Sequence, residues 1–452
     1  MTRYLHFGQA LLAQGWARDV RMGVQDGLIV SLAAGLPPAP DVERHAVALP
    51  GLPNLHSHAF QRGMAGMAEQ RGDSDDSFWT WREVMYRFLD RLTPDHVSAI
   101  AAMAYAEMLE SGFTRVGEFH YLHHDPQGRT YADPAAMAAA VAEAAAQSGI
   151  ALTLLPVFYA HAGFGGQPPA PAQRRFITSP DSFAALHAAS GAAIRDLPGA
   201  VLGLAPHSLR AATPEELGLL AAMGRGAPIH IHVAEQQKEV TDCLAWSGAR
   251  PVEWLLANVD LGPDWCLVHA THMTEAETAA LAKSGAVAGL CPITEANLGD
   301  GLFPAPAYIA AGGALGVGSD SNVLIDAAEE LRWLEYGQRL NLQGRNVLTP
   351  GAGSRSGAFL FSAALQGGAR ALSAPAGLAE GHSADLVSLD PHHPALIGAE
   401  GDALLDRWIF AASRGAIDCV WRNGRRVVEG GRHVARDAIA ARYAKALGEV
   451  LA

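Results

Sequence analysis

The sequence predicts a (β/α)₈ barrel joined to a small β-sandwich domain that is built from both chain ends. Through the middle of the chain, alanine- and leucine-rich helical segments alternate with short apolar runs, a pattern typical of parallel strands connected by helices. Both ends instead contain short strand-like runs separated by turns. We therefore expect residues 1–48 and 378–452 to form the composite domain and residues 49–377 to form the barrel.

The chain ends show the turn chemistry of β-hairpins. Near the N-terminus, Asp26 and Gly27 separate two strand-like runs, and this dipeptide favours a tight hairpin turn. Near the C-terminus, Asn423 and Gly424 separate two further apolar runs in the same way. The last stretch, 438–451, has a helical composition.

In the middle of the chain, eight apolar or β-branched runs end on polar or ionisable residues. A barrel places its active site at the C-terminal ends of its strands, so these polar ends are expected to meet. The predicted strands are 49–56, 114–119, 151–159, 201–207, 228–232, 266–269, 286–291 and 315–320. The predicted helices among them include 95–111, 134–148, 214–224 and 274–284.

Composition and charge exclude several classes of protein. The 452 residues are 49% hydrophobic, enough for a barrel core and a second domain. Acidic residues outnumber lysine plus arginine by 46 to 33, which argues against a nucleic-acid partner. The N-terminus lacks the apolar run of a signal peptide, and the most apolar segment, 150–160, is too short to span a bilayer.

The 4 cysteines are widely spaced and form no CxxC pair. They indicate reduced packing thiols rather than a disulfide framework, so we expect a cytoplasmic protein without membrane attachment. A homodimer is the default expectation, because two-fold dimers are the commonest oligomers.

Histidine pairs lie at the ends of two predicted strands. His56 and His58 are two positions apart, as are His230 and His232, and the two-residue period of a strand points each pair to one side. Asp320 ends another apolar strand. One pair alone also fits hydrogen-bonded histidines at a polar strand end. Two pairs and an aspartate predict a zinc site. In the second pair, only the histidine that points inward is expected to bind the metal, and the other is expected to pack or to form a hydrogen bond.

These residues, together with His269 and Glu235, resemble the metal and catalytic positions of the amidohydrolase superfamily. The resemblance covers the whole chain, including the β-domain split between the two ends. It implies that the metal ligands are His56, His58, His232 and Asp320. It implies that the catalytic residues handling the water and its proton are Glu235, His269 and Asp320.

The positions of the lysines indicate how many metal ions the site holds. Binuclear members of the superfamily usually bridge their metals with a carbamylated lysine from a strand in the middle of the barrel. The lysines of this chain are Lys238, Lys283 and Lys445, and none lies between His58 and His232. We therefore expect one zinc ion (Zn²⁺) per chain. Glu118, at a strand end, is the alternative bridge; its other interpretation is a hydrogen bond to a ligand.

Two arginines in the strand-end region indicate the kind of substrate. Arg210 follows the fourth predicted strand, and Arg82 follows two tryptophans in the long loop expected after the first. An arginine alone is more often part of a surface ion pair. At strand ends it suits bidentate recognition of a carboxylate, so the pair predicts a small-molecule dicarboxylate as the substrate.

Several stretches resemble one family in particular, the formimidoylglutamate deiminases of bacterial histidine breakdown. The resemblance implies hydrolysis of N-formimidoyl-L-glutamate to N-formyl-L-glutamate and ammonia. It implies that the substrate-binding residues are Gln61, Arg82, Tyr121, His207 and Arg210. The similar stretches are His56-Ser-His-Ala-Phe-Gln-Arg-Gly, Phe78-Trp-Thr-Trp-Arg, Gly117-Glu-Phe-His-Tyr, Cys291-Pro-Ile-Thr-Glu-Ala-Asn-Leu-Gly-Asp-Gly and Gly318-Ser-Asp-Ser-Asn-Val-Leu-Ile-Asp.

Two alternatives remain open at this point. Another deaminase of the same superfamily, acting on a nucleobase or an S-adenosyl compound, would share the metal site but favour an aromatic slot without paired arginines. A non-catalytic scaffold would keep the barrel and lose the chemistry, although every expected ligand and Glu235 are present.

Overall fold

The computed structural model describes residues 1–71 and 77–452. Its strands are β1 Arg3–Leu12, β2 Gly15–Gln25, β3 Leu28–Ala33, β4 Glu43–Pro50, β5 Leu52–Ser57, β6 Phe113–His120, β7 Ala151–Phe158, β8 Val201–Leu202, β9 Ala205–Pro206, β10 Ile229–Val233, β11 Trp265–His269, β12 Val287–Leu290, β13 Ala314–Val317, β14 Leu386–Leu389, β15 Ile417–Arg422, β16 Arg425–Glu429 and β17 Arg432–His433. Its α-helices are α1 Phe78–Leu89, α2 Pro94–Glu110, α3 Ala136–Ser148, α4 Pro180–Ala193, α5 Pro214–Met223, α6 Gln237–Ser247, α7 Pro251–Asn258, α8 Glu275–Ser284, α9 Pro292–Leu298, α10 Ala305–Ala310, α11 Ala327–Leu342, α12 Ser356–Ala371, α13 Asp402–Ala411 and α14 Arg436–Leu451.

A parallel barrel occupies the middle of the chain, as predicted. One half has the strand order β5-β6-β7-β8, with β9 also paired to β7, and the other half has the order β10-β11-β12-β13. Bridges between Leu204 and Ile229 and between Ser57 and Asp320 join the two halves. The predicted fold class is therefore confirmed, and each predicted strand is present. The fourth run is divided into β8 and β9.

Leu55 on β5 is central to the interior of the barrel. It belongs to a separate buried cluster that includes Cys266 and Leu372. Added Cβ atoms at Gly289 and Gly316 would lie 2.8 and 2.5 Å from its methyl groups. Glycine on the neighbouring strands β12 and β13 therefore leaves the space that the leucine side chain fills, so the barrel interior is packed here.

Strands from both chain ends form one sheet with the order β17-β16-β15-β14-β4-β1-β2-β3. The predicted hairpin turns are confirmed, because Asp26 and Gly27 have φ of 51° and 83° and Asn423 and Gly424 have φ of 51° and 70°. The sheet curls strongly, since Leu28 at the start of the edge strand β3 bridges to Ser383, just before β14.

Two hydrophobic clusters indicate how the terminal elements pack. The curled sheet has its own cluster, with Phe7 and Trp421 among its buried members. The main cluster of the barrel extends into α13 through Trp408 and into α14 through Ile439 and Val450. The division into 1–48 with 378–452 and 49–377 stays a prediction.

The segment around Arg82 differs from its prediction as a loop, because it forms helix α1. Ser77 caps this helix by accepting a hydrogen bond from the backbone N–H of Trp79, and Thr80 completes a capping box. The burial of Phe88 and Leu89 then anchors the helix against the core. Among the described residues, no helix is long and apolar enough to cross a membrane.

Candidate metal centre and active-site pocket

Four buried side chains converge at the C-terminal ends of the barrel strands. The Nε2 atoms of His56 and His58 lie 3.2 Å apart, and those of His56 and His232 lie 3.0 Å apart. Asp320 places its Oδ1 atom 3.5 Å from His56 Nε2 and 3.3 Å from His58 Nε2. All four ligand atoms lie within 4.8 Å of one another. The structure thus brings together the four residues that the sequence suggested as metal ligands.

The second nitrogen of two of these rings fixes the tautomer. His58 Nδ1 lies 2.9 Å from the carbonyl oxygen of Phe119, and His232 Nδ1 lies 3.1 Å from that of His207. A carbonyl can only accept, so each Nδ1 is the protonated nitrogen and each Nε2 presents a lone pair to the centre. Hydrogen bonds of this kind orient histidines that bind metals.

The charges of the cluster fit a divalent cation. Burial lowers the pKa of His56 to about 3, and burial likewise holds the pKa of His58 and His232 below the ordinary value. Burial alone would raise the pKa of Asp320, but the adjacent His56 ring and the charge of His269 lower it, so the group is a carboxylate. Neutral nitrogen lone pairs at these separations cannot hydrogen-bond one another, whereas a cation between them satisfies all of them.

The backbone around the centre adopts uncommon conformations. His269 and Asp320 have φ of 67° and 45°, and Ala234, next to Glu235, has φ of 50°. Residues other than glycine rarely occupy this left-handed region, and such conformations cluster at functional sites. Here they occur at the last residue of β11 and shortly after β10 and β13, and the side chains of His269, Glu235 and Asp320 line the pocket.

Glu235 and His269 lie beside the four-residue cluster. Glu235 Oε1 is 3.9 Å from His269 Nε2, which is 3.7 Å from Asp320 Oδ2. Burial raises the pKa of Glu235 to about 7, even though His269 and Arg210 lower it. A carboxyl group with this pKa can accept and return a proton near neutral pH.

His269 is held from behind by a residue that the sequence did not single out. Its Nδ1 atom lies 3.2 Å from Glu295 Oε1, which also accepts the backbone N–H of Cys291 at 2.9 Å. Burial lowers the pKa of His269, but Glu235, Glu295 and Asp320 raise it to about 10. Because Glu295 is 26 positions away in sequence, no local spacing predicts this pair.

Glu118, the alternative bridge, is buried near the centre but outside the four-residue group. Its Oε1 atom accepts a 2.7 Å hydrogen bond from the backbone N–H of Ala59, directly after His58. The carboxylate therefore fixes the backbone of the segment that follows β5, which supports the interpretation of Glu118 as a structural partner of the ligand segment.

A pocket of about 600 Å³, counting the space open to solvent, leads to this centre. All the residues predicted to bind substrate line it. So do all the predicted metal ligands and catalytic residues except His56. His56 lies behind them and is fully buried. The lining residues are His58, Gln61, Phe78, Trp81, Arg82, Met85, Tyr86, Tyr121, Tyr159, Phe176, His207, Arg210, His232, Glu235, His269, Thr294, Leu298, Asp320 and Ser321.

The first arginine comes from α1 and lies among aromatic rings. Arg82 donates from Nε to the hydroxyl of Tyr86 at 2.6 Å, and its guanidinium lies 5.1 Å from the centre of that ring and 5.7 Å from the ring of Trp79. The Nη1–Nη2 edge of the guanidinium remains for a carboxylate, because only Nε is used in this bond.

The other predicted contacts form the opposite walls. Gln61 donates from Nε2 to the hydroxyl of Tyr121 at 2.9 Å, and its own Oε1 is buried without a described partner. The ring of His207 packs on Tyr159 with centroids 4.6 Å apart. The Nε–H of Arg210 is buried and has no hydrogen-bond partner among the described residues.

Sequence reasoning missed most of the aromatic wall. Phe78, Trp81 and Tyr86 come from α1, whereas Tyr159 and Phe176 come from the segments after β7. The helical spacing of the α1 residues is a signal that could have identified three of these five, had the segment been interpreted as a helix. The other two lie in irregular segments, for which no periodicity exists.

Comparisons with known proteins agree with this geometry. Residues 47–427 match the amidohydrolase family, and residues 2–46 match the N-terminal domain of formimidoylglutamate deiminase HutF. Formimidoylglutamate deiminase of Pseudomonas aeruginosa is 53% identical over 98% of both chains, and 8-oxoguanine deaminase of the same organism is 30% identical over 72% of this chain and 73% of its own. The crystal structure of an amidohydrolase from Brucella melitensis is 55% identical, with a TM-score of 0.97 over 100% of both chains. The chain therefore belongs to the amidohydrolase family and carries the N-terminal domain of its formimidoylglutamate deiminases.

Proposed function

We propose that this chain hydrolyses N-formimidoyl-L-glutamate to N-formyl-L-glutamate and ammonia in histidine degradation. The 53% identity to a formimidoylglutamate deiminase supports this activity. Within the pocket, the proposal depends on the combination of a candidate metal-binding cluster with two arginines, for which no carboxylate hydrogen bond is found among the described residues.

We propose one zinc ion per chain, held by His56, His58, His232 and Asp320. Three neutral imidazoles and one carboxylate match the ligands that zinc takes in hydrolytic enzymes. When bound, the ion lowers the pKa of a water molecule and stabilises negative charge on oxygen. The absence of a lysine in the middle strands and the backbone hydrogen bond of Glu118 support one metal rather than two.

Glu235 is the proton carrier in this proposal. It accepts the two protons of the attacking water in turn and delivers each to the imino nitrogen of the substrate. The carbon keeps the water oxygen, and the nitrogen leaves as ammonia. His269, kept protonated by its acidic neighbours, and Asp320 orient the water and stabilise charge at the tetrahedral carbon.

Arg82 and Arg210 hold the two carboxylates of the substrate, since a guanidinium can donate two parallel hydrogen bonds to a carboxylate. Gln61 and Tyr121 contact the glutamate portion. His207 contacts the formimidoyl end or the adjacent amide nitrogen. A dimeric assembly and a cytoplasmic location complete the proposal; the four buried free cysteines support a reducing environment.

The first test measures ammonia release from N-formimidoyl-glutamate, N-formimidoyl-aspartate and 8-oxoguanine. We expect turnover of the formimidoyl dicarboxylates and none of the purine. The reverse result would favour a nucleobase deaminase, for which the aromatic wall of the pocket is also suited. Absence of ammonia from every substrate, with zinc verified in the sample, would favour a non-catalytic scaffold.

The second test addresses the arginines. Arg82→Met and Arg210→Met should each lower kcat/KM by about 10²-fold or more, because a substrate carboxylate would stay in the pocket without its partner. The effect should shrink for the mono-amide that lacks the corresponding carboxylate. Arg195→Met, at an exposed position, is the control. A change below about threefold in both variants would contradict the dicarboxylate assignment.

A further inference from the structure

We propose that Arg175 is a positioning residue that holds helix α1, and with it Arg82, against the substrate pocket. Arg175 lies outside the pocket and contacts neither the metal ligands nor the catalytic residues among its described hydrogen bonds. Its expected effect on kinetics rests on the proposed function, whereas its effect on α1 does not.

The side chain of Arg175 is fully buried, with 0% relative exposure. Its guanidinium donates to three backbone carbonyl groups and also interacts with the hydroxyl of Tyr131. Nε donates to His124 O at 3.0 Å, Nη2 donates to Leu92 O at 2.7 Å, and Nη1 donates to Leu89 O. Asp90 is close enough for its charge to act on the guanidinium, but no carboxylate hydrogen bond to it is found among the described residues. Because burying a cation is costly, the hydrogen bonds to the carbonyl groups have to offset its desolvation.

Two of these carbonyls belong to the C-terminal end of α1. Leu89 is its last residue and Leu92 follows in the next turn. The last carbonyls of a helix have no partner within the helix, and a cation is stabilised there by the helix dipole. The planar guanidinium of Arg175 can satisfy both carbonyls and that of His124 at once, which an ammonium cannot.

Arg175 also fastens a second wall of the pocket through its backbone. Its carbonyl accepts hydrogen bonds from the N–H groups of His123 and His124, each at 3.0 Å. These residues follow Tyr121, which lines the pocket. The next residue, Phe176, packs on the Tyr121 ring with centroids 4.9 Å apart. One residue thus connects α1, the segment after β6 and the aromatic wall.

Helix α1 matters to the pocket because one of its faces lines it. Phe78, Trp81, Arg82, Met85 and Tyr86 all contribute, and their spacing is that of a single helix face. Arg82 lies about two turns, or about 10 Å, from the anchored end. A tilt of about 10° at that end would therefore move its guanidinium by about 2 Å, enough to break a bidentate contact.

The experiment compares Arg175→Lys and Arg175→Met with Arg174→Met. Arg174 is the matched control because it lies next to Arg175 and also contacts the end of α1, through a 2.8 Å pair with Asp90 whose side chains are 36% and 42% exposed. Exposed pairs contribute little, so Arg174→Met should change KM less than about threefold. Arg175→Lys should raise the KM for N-formimidoyl-glutamate about tenfold, with kcat within about threefold and zinc content unchanged.

Two further measurements separate positioning from general stability. Backbone amides of residues 78–89 should exchange with deuterium faster in Arg175→Lys, while those of the barrel strands do not change. The double variant Arg82→Met with Arg175→Lys should have a KM less than about threefold above that of Arg82→Met alone. Both residues act through the contact between Arg82 and the substrate carboxylate, so their effects should not add. If Arg175→Met does not fold, the lysine variant alone decides.

The proposal is overturned if Arg175→Lys leaves both KM and the exchange of α1 unchanged. It is also overturned if the variant lowers kcat and zinc content together, because Arg175 would then support the barrel as a whole. If Arg174→Met raises KM and speeds amide exchange in α1 as much as Arg175→Lys does, the proposal is also overturned. Any contact between this segment and α1 would then hold the helix, and the buried guanidinium would have no special role. If the unaltered protein does not act on formimidoyl substrates, the proposed function fails, but amide exchange still tests whether Arg175 anchors α1.

Discussion

Glu235 combines two properties at the residue scale, burial and closeness to a cation. It is 5% exposed and lies 3.9 Å from the imidazole of His269, and burial raises its pKa to about 7. Glu235→Gln keeps the size of the side chain but removes the proton acceptor. We therefore expect kcat to fall by at least about 10²-fold while zinc stays bound, measured as ammonia release and metal content on the same sample.

Glu215→Gln at an exposed position of α5 controls for the loss of one negative charge and should leave kcat unchanged. Turnover of the Glu235→Gln variant close to that of the unaltered protein, with zinc present, would remove Glu235 from the mechanism. Loss of zinc instead would mean that Glu235 contributes to metal binding.

The sequence could predict Glu235 but not Glu295. Glu235 is three positions beyond His232, so one strand end carries both, and the pattern is visible without a structure. Glu295 reaches His269 from α9, which follows a different strand. Side-chain contacts between separate strand ends depend on the closure of the barrel, which no local pattern encodes.

At the scale of elements, α12 packs unusually close to β13. An added Cβ at Gly367 would lie 1.9 Å from the carbonyl oxygen of Leu315, and one at Gly368 would lie 2.9 Å from the Cβ of Pro53. Leu315 belongs to β13 and Pro53 belongs to β5, so α12 packs over the place where these two strands meet. Gly367→Ala should therefore destabilise the protein by about 1–3 kcal/mol through overpacking, measured by chemical denaturation.

Gly218→Ala is the matched control, since Gly218 is in the helix α5 and an added Cβ would meet nothing within 4 Å. Alanine is the better helix former, so this variant should gain up to about 1 kcal/mol. If Gly367→Ala leaves the free energy of unfolding unchanged or raises it, α12 can move away from β13 without loss of stability, and the prediction is wrong.

Most elements are predictable because their signals are local. The Asp26 and Asn423 turns, the apolar strands and the capped helices follow from short patterns. The fourth strand is interrupted at Gly203 and Leu204, although β8 and β9 both pair with β7 in the same register. A sequence pattern does not reveal such a short interruption of a strand.

At the scale of the whole molecule, the two chain ends are held together by contacts far apart in sequence. The first strand β1 pairs in parallel with β4, which pairs in turn with β14. The C-terminal helix α14 is joined to α2, where Arg436 contacts Glu110 at 3.1 Å. Composition at the two ends predicted a shared domain, but it could not predict that α14 packs against the barrel instead of the sheet.

The candidate metal centre spans both halves of the barrel. His56 and His58 belong to the β5 end, His232 to β10, and Asp320 follows β13. A cation held by these residues links the two sheets close to the bridge between Ser57 and Asp320. Metal binding should therefore stabilise the fold as well as supply chemistry, because it favours the native state only.

We expect removal of metal by a chelator to lower the Tm and to abolish ammonia release, and added zinc to restore both. At free zinc about a thousandfold above the Kd, the gain in the free energy of unfolding should be about 4 kcal/mol. The His56→Ala and Asp320→Ala variants should have a Tm that no longer responds to zinc, because each removes a ligand. His392→Ala, at an exposed histidine, should respond as the unaltered protein does.

Metal analysis of the same samples decides how many ions cause this stabilisation. One tightly held zinc per chain agrees with four ligands that lie within 4.8 Å of one another. Two tightly held ions would require a bridging group, and Glu118 would then have to exchange its 2.7 Å bond with the N–H of Ala59 for a metal contact. In that case Glu118→Gln would release one of the two ions, whereas with a single zinc it should leave the metal content at one per chain.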